Sequence, residues 1–265
     1  MTTPATYAPP VDALLRVGDK YLRSYHGKWA NYPEIYGFTA EHIPELIQMA
    51  IDPDLNWADS ESLEVWAPVH AWRTLGQLKA EAAIEPLLST FNEMEESDWY
   101  REDMPDVFGL IGPAALVPVK DFLANPENEF YCRWSAASSL VKLGETYPEV
   151  RQDCVAALAE RLEPFSRNSR DFNGMIISCL IDLRAQEAAP IIEQAFAAKW
   201  VDTSICGSWT DVQWELGLIS QAEVYARRHH VDAERLKSKP AKPRSNSTKG
   251  FGAGISKKSQ KNQAK

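Results

Sequence analysis

The segment VWAPVHAWR, residues 65 to 73, puts a tryptophan, a histidine and an arginine on one helical face, because Trp66, His70 and Arg73 follow i, i+4, i+7 spacing. Such a row has a definite chemistry: the rings stack on a flat ligand and the guanidinium pairs with its carboxylate. Val65, Val69 and Trp72 share the adjoining face. The segment therefore also fits a structural use, in which Trp66 packs against a preceding hairpin while His70 and Arg73 tie down a loop. Pro68 falls inside the pattern and is expected to kink the helix. Three further aromatics complete the candidate ligand or partner contacts. Trp99 stands in the acidic stretch NEMEESDWYREDMPD, and Trp209 and Trp214 in SWTDVQWEL, where they either meet a partner or cap the end of the core.

Other residue types with reactive chemistry lack the spacing that chemistry requires. Cys132, Cys154, Cys179 and Cys206 are each more than 20 residues apart, which removes the close pairs of zinc ribbons and redox motifs and leaves small reduced hydrophobes. The seven acids between residues 92 and 106 do not alternate around a glycine as a calcium loop requires, so a solvated loop on a rim is the expectation. His229-His230 follows Arg227-Arg228 with no third ligand in view, which suits a basic helix end. No metal site or catalytic residue is assigned. The chain has no nucleophile elbow, no phosphate-cradling glycine loop and no H-E-x-x-H, which lowers the expectation of an enzyme without removing it.

Charge is distributed unevenly along the 265 residues. Of 28 basic side chains, nine lie in residues 237–265, which contain no acid; the remaining 19 face all 37 acidic ones upstream. The C-terminal segment, rich in Lys, Ser, Pro and Gly, is expected to be a disordered tail drawn toward the acidic stretch from Glu93 to Asp106. Residues 1–10 are expected to be disordered and 11–236 to form one domain. No basic n-region precedes an apolar run, and no apolar stretch approaches about 18 residues, which points to a cytoplasmic protein without a membrane span.

Almost every apolar pattern in residues 11–236 has a period near 3.6, so the fold class is all-α. Helices are expected near 11–25, 39–51, 60–75, 81–92, 100–110, 113–124, 129–142, 148–163, 170–183, 187–199 and 208–217, with a last one starting at Ser220, where Glu223 completes a capping box. A phrase recurs: LGQLKAEAAIEPLL and FGLIGPAALVPVKDFL share a junction, an alanine pair and an early proline. The apolar residue after each junction, Leu78, recurs as Ile111, Leu143 and Leu183, in steps of 33, 32 and 40 residues. Gly76, Gly109 or Gly112, and Gly144 stand where the first helix of each unit is expected to stop in the left-handed conformation. Since one hairpin cannot bury its apolar face, stacked antiparallel hairpins, an α-solenoid, are the stable arrangement.

The segments VWAPVHAWRTLGQLKAEAAIEPLL, VFGLIGPAALVPVKDFL, AASSLVKLGETYPEVRQDCVAAL and CLIDLRAQEAAPIIEQAF resemble HEAT-like repeats of the short kind found in phycobilin lyases and uncharacterised bacterial scaffolds. WAPVHAWR is also similar to a bacterial domain family of unknown function, a likeness that implies no activity. The repeat resemblance implies a non-catalytic protein-binding scaffold or adaptor without a cofactor; the alternative it implies is a bilin lyase or pigment-handling chaperone with a bilin ligand. The acidic body favours a protein partner with a basic surface and disfavours nucleic acid.

Overall fold

The computed structural model describes residues 6–22 and 29–238. Among them every regular element is helical. The α-helices are α1 (Tyr32–Tyr36), α2 (Ile43–Ala50), α3 (Pro53–Asn56), α4 (Ala67–Gln77), α5 (Ile84–Thr90), α6 (Asp98–Ile111) and α7 (Leu116–Ala124), followed by α8 (Phe130–Thr146), α9 (Arg151–Leu162), α10 (Arg170–Asp182), α11 (Ala189–Ala197), α12 (Thr203–Cys206), α13 (Trp209–Glu215) and α14 (Gln221–Ser238). Three-residue 3₁₀ turns at Glu81–Ala83, Pro113–Ala115, Pro148–Val150 and Gln186–Ala188 lead into α5, α7, α9 and α11. Of the alanine pairs at or after these turns, the second member is the buried one in the first three, Ala83, Ala115 and Ala157, and the first member, Ala188, is buried in the fourth. The short helices α1, α3 and α12 carry too few residues to leave a periodic signal.

Helix starts follow local chemistry. Ser97, Ser169 and Ser208 accept the backbone N–H three residues on, and Ser220 forms its capping box with Glu223, whose carboxylate accepts the Ser220 N–H at 2.8 Å. Pro68 falls not inside the helix but in the first turn of α4, where a missing N–H leaves no bond unmade. The proline inside a helix is Pro105 in α6; it frees the Arg101 carbonyl, and the Ser135 hydroxyl of α8 donates to that oxygen at 2.9 Å.

The chain divides into a unit ending at Val224 and one beginning at Tyr225. In the first, α4, α6, α8 and α10 each contact the next, and so do α5, α7, α9 and α11. The core runs through both rows, with Leu75, Leu87, Phe108, Leu123, Leu140, Leu158, Leu180 and Ile192 fully buried.

Gly112 ends α6 at positive φ, as one of the two alternatives expected, but the other three glycines do a different job from the one their position suggested. Gly76, Gly109 and Gly144 are helical, and the left-handed residues are Lys79 (φ 53°) and Arg184 (φ 51°), with Gly112 at φ 107°. Lys79 is held by two closing bonds, its own N–H to the Gly76 carbonyl and the Ala80 N–H to the Leu75 carbonyl, both 3.0 Å. The helical glycines mark where neighbouring first helices touch. A Cβ on Gly76 would stand 3.2 Å from Val107 Cα, and one on Gly109 3.0 Å from Lys142 Cβ.

Three terminal expectations change. Residues 6–10 are held, since Tyr7 is buried and its hydroxyl donates to Asp52 Oδ2 at 2.6 Å. The helix expected over 11–25 is a 3₁₀ turn, Val11–Arg16, followed by turns to residue 22, and residues 23–28 lie outside the described residues. At the other end α14 continues through Lys237 and Ser238; the expected tail from 239 onward, and its attraction to the acidic stretch, lie outside the described residues. In the second unit, the rings of Tyr225 and His229 sit 4.0 Å apart on one face of α14.

Candidate functional site

The row Trp66, His70, Arg73 does not form one open face. His70 is 0% exposed: its Nε2 lies 2.8 Å from the Gly18 carbonyl, and its Nδ1 2.8 Å from the Tyr32 hydroxyl. A carbonyl only accepts, so Nε2 carries the proton and Nδ1 accepts from Tyr32, which is the neutral imidazole. Burial is the largest influence, and with the Arg73 charge it outweighs the Gly18 bond, pushing His70 down to about 4. Arg73, 2% exposed, makes a two-pronged pair with Asp103, Nε to Oδ2 at 2.6 Å and Nη2 to Oδ1 at 3.0 Å, and Nη1 donates to the carbonyls of Tyr21 and Leu22. Trp72 Nε1 donates to the same carboxylate at 2.9 Å. Asp103 therefore leaves the expected solvated acidic loop and becomes the buried counter-charge joining α4 to α6, while half of the acidic stretch is helix α6 itself.

Of the remaining candidates, the structure brings Trp66 and Trp99 together and leaves Trp209 and Trp214 elsewhere. Trp66 is half-buried and meets Trp99 edge to face, centroids 5.8 Å apart. Arg73 lies between the rings of Trp29 and Trp99, at 4.9 and 5.7 Å. Trp209 belongs to α13 and packs on Phe196 of α11, whereas Trp214 is exposed.

The open chemistry lies next to this cluster, along α6 and α8. A cavity of about 470 Å³ is lined by Trp29, Gln77, Gly109, Leu110, Lys142 and Glu145, among others. A second, of about 540 Å³, is lined by Arg101, Glu102, Pro105, Tyr131, Trp134 and Ser138, among others. Asp106 and Lys142 border both, and their ion pair, 3.2 Å long, stands between them. Arg101 pairs with Asp98 and lies over the Tyr131 ring at 4.9 Å. Beyond it, Glu95 and Glu96 line a third recess with Arg101 and Tyr131. Six carboxylates and two cations line the three recesses together. Further along the row, loss of hydration and then the negative charges of Glu145 and Glu215 hold the Asp182 carboxyl above its ordinary range, against the pull of Lys142.

Sequence reasoning passed over this groove, although a signal for it exists. The residue before the repeated apolar marker is Gln77, Leu110, Lys142 and Asp182 in successive units. The first three line one cavity, and the fourth lies within the electrostatic reach of the third. One position in each of the first three units thus faces the groove.

Other chemistry finds little support among the described residues. No group of three or more His, Cys, Asp or Glu is arranged to hold a metal ion. Burial pushes the thiols up, to about 12 for Cys132 and Cys179 and about 11 for Cys154 and Cys206, so none is poised as a thiolate at neutral pH. No single helix is long and apolar enough to cross a membrane. Fold and site together define an all-helical protein with an open groove of mixed aromatic and acidic lining. Comparison of the chain with protein-family models, with curated proteins and with solved structures returned no match.

Proposed function

We propose that the chain is a non-catalytic scaffold for protein–protein interaction, an α-solenoid of HEAT-like hairpins that binds a partner along the groove over α6 and α8 and works in the cytoplasm without a cofactor. The observation that carries this reading is the set of exposed apolar side chains in and beside the groove: Tyr131 is 50% exposed, Leu110 37% and Trp99 36%. Aromatic side chains left open beside charged ones are what protein interfaces enrich. The successive packing of α4 on α6, α6 on α8 and α8 on α10, paralleled by that of α5, α7, α9 and α11, supports the solenoid. The excess of carboxylates in the groove disfavours nucleic acid, whose phosphates it would repel.

Affinity capture from cell lysate at physiological salt tests the reading. The full chain is expected to retain at least one protein, which a Trp99→Ala, Tyr131→Ala double variant of unchanged melting temperature fails to retain. Capture indifferent to these substitutions, or no capture at all, would refute it. The bilin alternative rests on the repeat type; a shifted visible absorption band on mixing the purified chain with a bilin would put that reading in place of the scaffold.

A further inference from the structure

We infer that the groove over α6 and α8 is a docking site for an extended, basic segment of the partner protein, one of whose arginine or lysine side chains enters the cavity bounded by Trp29, Asp106, Lys142 and Glu145. The inference rests on the scaffold reading and specifies what that scaffold recognises.

Charge selects the partner. Six carboxylates and two cations line the groove, and both cations are already paired with carboxylates of the groove itself, Arg101 with Asp98 and Lys142 with Asp106. Glu102 and Glu145 are exposed and have no ion pair among the described residues, so an arriving cation finds unneutralised acceptors. An arriving acidic segment finds none of the opposite sign.

The aromatic lining suits the same chemistry. Trp29 already carries the Arg73 guanidinium over its ring at 4.9 Å, and Tyr131 carries Arg101 at 4.9 Å. Guanidinium groups are weakly hydrated and stack on such rings while pairing sideways with carboxylates. A cavity of about 470 Å³ has room for a long side chain and its hydration.

Spacing fixes the form of the segment. Packed helices stand about 8 to 10 Å apart, so residues at the equivalent position of α4, α6, α8 and α10 recur at that interval. A polyproline-type chain advances about 9 Å in each turn of three residues. Basic residues at every third position therefore meet successive helices in register, the first beside Asp106 and Glu145 and the next toward Asp182.

Lys142 gives the inference a distinctive sign. Its ammonium holds Asp106, at 3.2 Å, in the place the arriving cation needs. Removing it should tighten binding, whereas removing a residue of structural importance would weaken it.

The test uses the full chain at physiological ionic strength and a fluorescein-labelled peptide that repeats Arg-Pro-Ser, read by fluorescence anisotropy. A Glu-Pro-Ser repeat and a peptide with the same arginines clustered at one end are the controls. The Arg-Pro-Ser peptide should bind best; Glu145→Gln and Asp106→Asn should each weaken it by about 3- to 10-fold, and Lys142→Ala should strengthen it by about 3-fold. All three side chains are exposed, so unchanged melting temperatures verify that the fold is kept. Equal binding of the arginine and glutamate peptides, or indifference to the three variants, would overturn the inference. Tighter binding of a peptide of residues 239–265 would also overturn it, reassigning the groove to a second copy of this chain. If Tyr131→Ala abolishes protein capture while no arginine peptide binds, the scaffold stands and its basic ligand falls; if nothing is captured either, both fall.

Discussion

Lowering the pH should destabilise the fold through His70. The imidazole is fully buried between the Tyr32 hydroxyl and the Gly18 carbonyl, with the Arg73 cation nearby, and its pKa is about 4 in the folded chain. In the unfolded chain the same group titrates near 6.5. The folded value is the lower one, so between these pH values the unfolded state takes up a proton that the folded state refuses. Stability is complete above about pH 7, declines as pH falls through 6.5, and levels off below 4. At about 1.36 kcal/mol per unit, the loss from this residue is about 2 kcal/mol at pH 5 and approaches about 3 kcal/mol below pH 4. The pH 5 figure corresponds to roughly 4 to 8 °C in melting temperature for a domain of this size. Urea unfolding of the wild type and of His70→Gln at several pH values isolates the effect, because groups common to both cancel in the difference. The two stability curves should converge by about 2 kcal/mol between pH 7.5 and 5. Parallel curves would refute the reasoning. So would a native His70 imidazole proton resonance that titrates near 6.5, a measurement that stands even where the variant fails to fold.

Asp103→Asn should cost about 3 to 5 kcal/mol in urea unfolding, since it leaves the Arg73 guanidinium buried without its counter-charge; a loss under about 1 kcal/mol would mean that Arg73 reaches water. Gly109→Ala should destabilise by about 1 to 2 kcal/mol despite alanine's better helix propensity, because its Cβ would lie 3.0 Å from Lys142 Cβ, an atom fixed to the α8 backbone; a gain in melting temperature would contradict that contact. Leu87→Ala, at a site with 0% exposure, should cost about 2 to 5 kcal/mol by calorimetry or denaturant titration, and less than about 1 kcal/mol would place α5 outside the core. The thiols of Cys132, Cys154 and Cys179 should react with a disulfide reagent at pH 8 only after denaturant is added, and rapid modification of the native chain would count against their burial.

How much of this was legible in the sequence differs between elements and contacts. The period of 3.6 located α2, α4 to α11 and α13, and the Ser220–Glu223 capping box located the start of α14, because both signals depend on residues within a turn or two of one another. The same local reasoning failed at Pro68, where the helix begins one residue earlier than the proline, and at Gly76, Gly109 and Gly144. A glycine that ends a helix and one that admits a neighbouring helix look alike in sequence; what separates them is the Val107 or Lys142 backbone roughly one repeat away.

The site shows the same division. The sequence placed Trp66, His70 and Arg73 on one face of one helix; His70 and Arg73 do lie in α4, while Trp66 is its N-cap, at the end of the 3₁₀ turn Glu64–Trp66. Only the tertiary structure decided that Arg73 faces inward, because its counter-charge Asp103 is 30 residues away on α6 and its other acceptors, the carbonyls of Tyr21 and Leu22, come from the N-terminal turns. Among seven acids within residues 92–106, composition cannot tell which one is buried, since burial of a charge depends on a partner supplied by another helix. The groove likewise exists only where α4, α6 and α8 pack together: its carboxylates and aromatics were all visible as residues, but a concave surface belongs to the packing of neighbouring helices and is encoded in none of them alone.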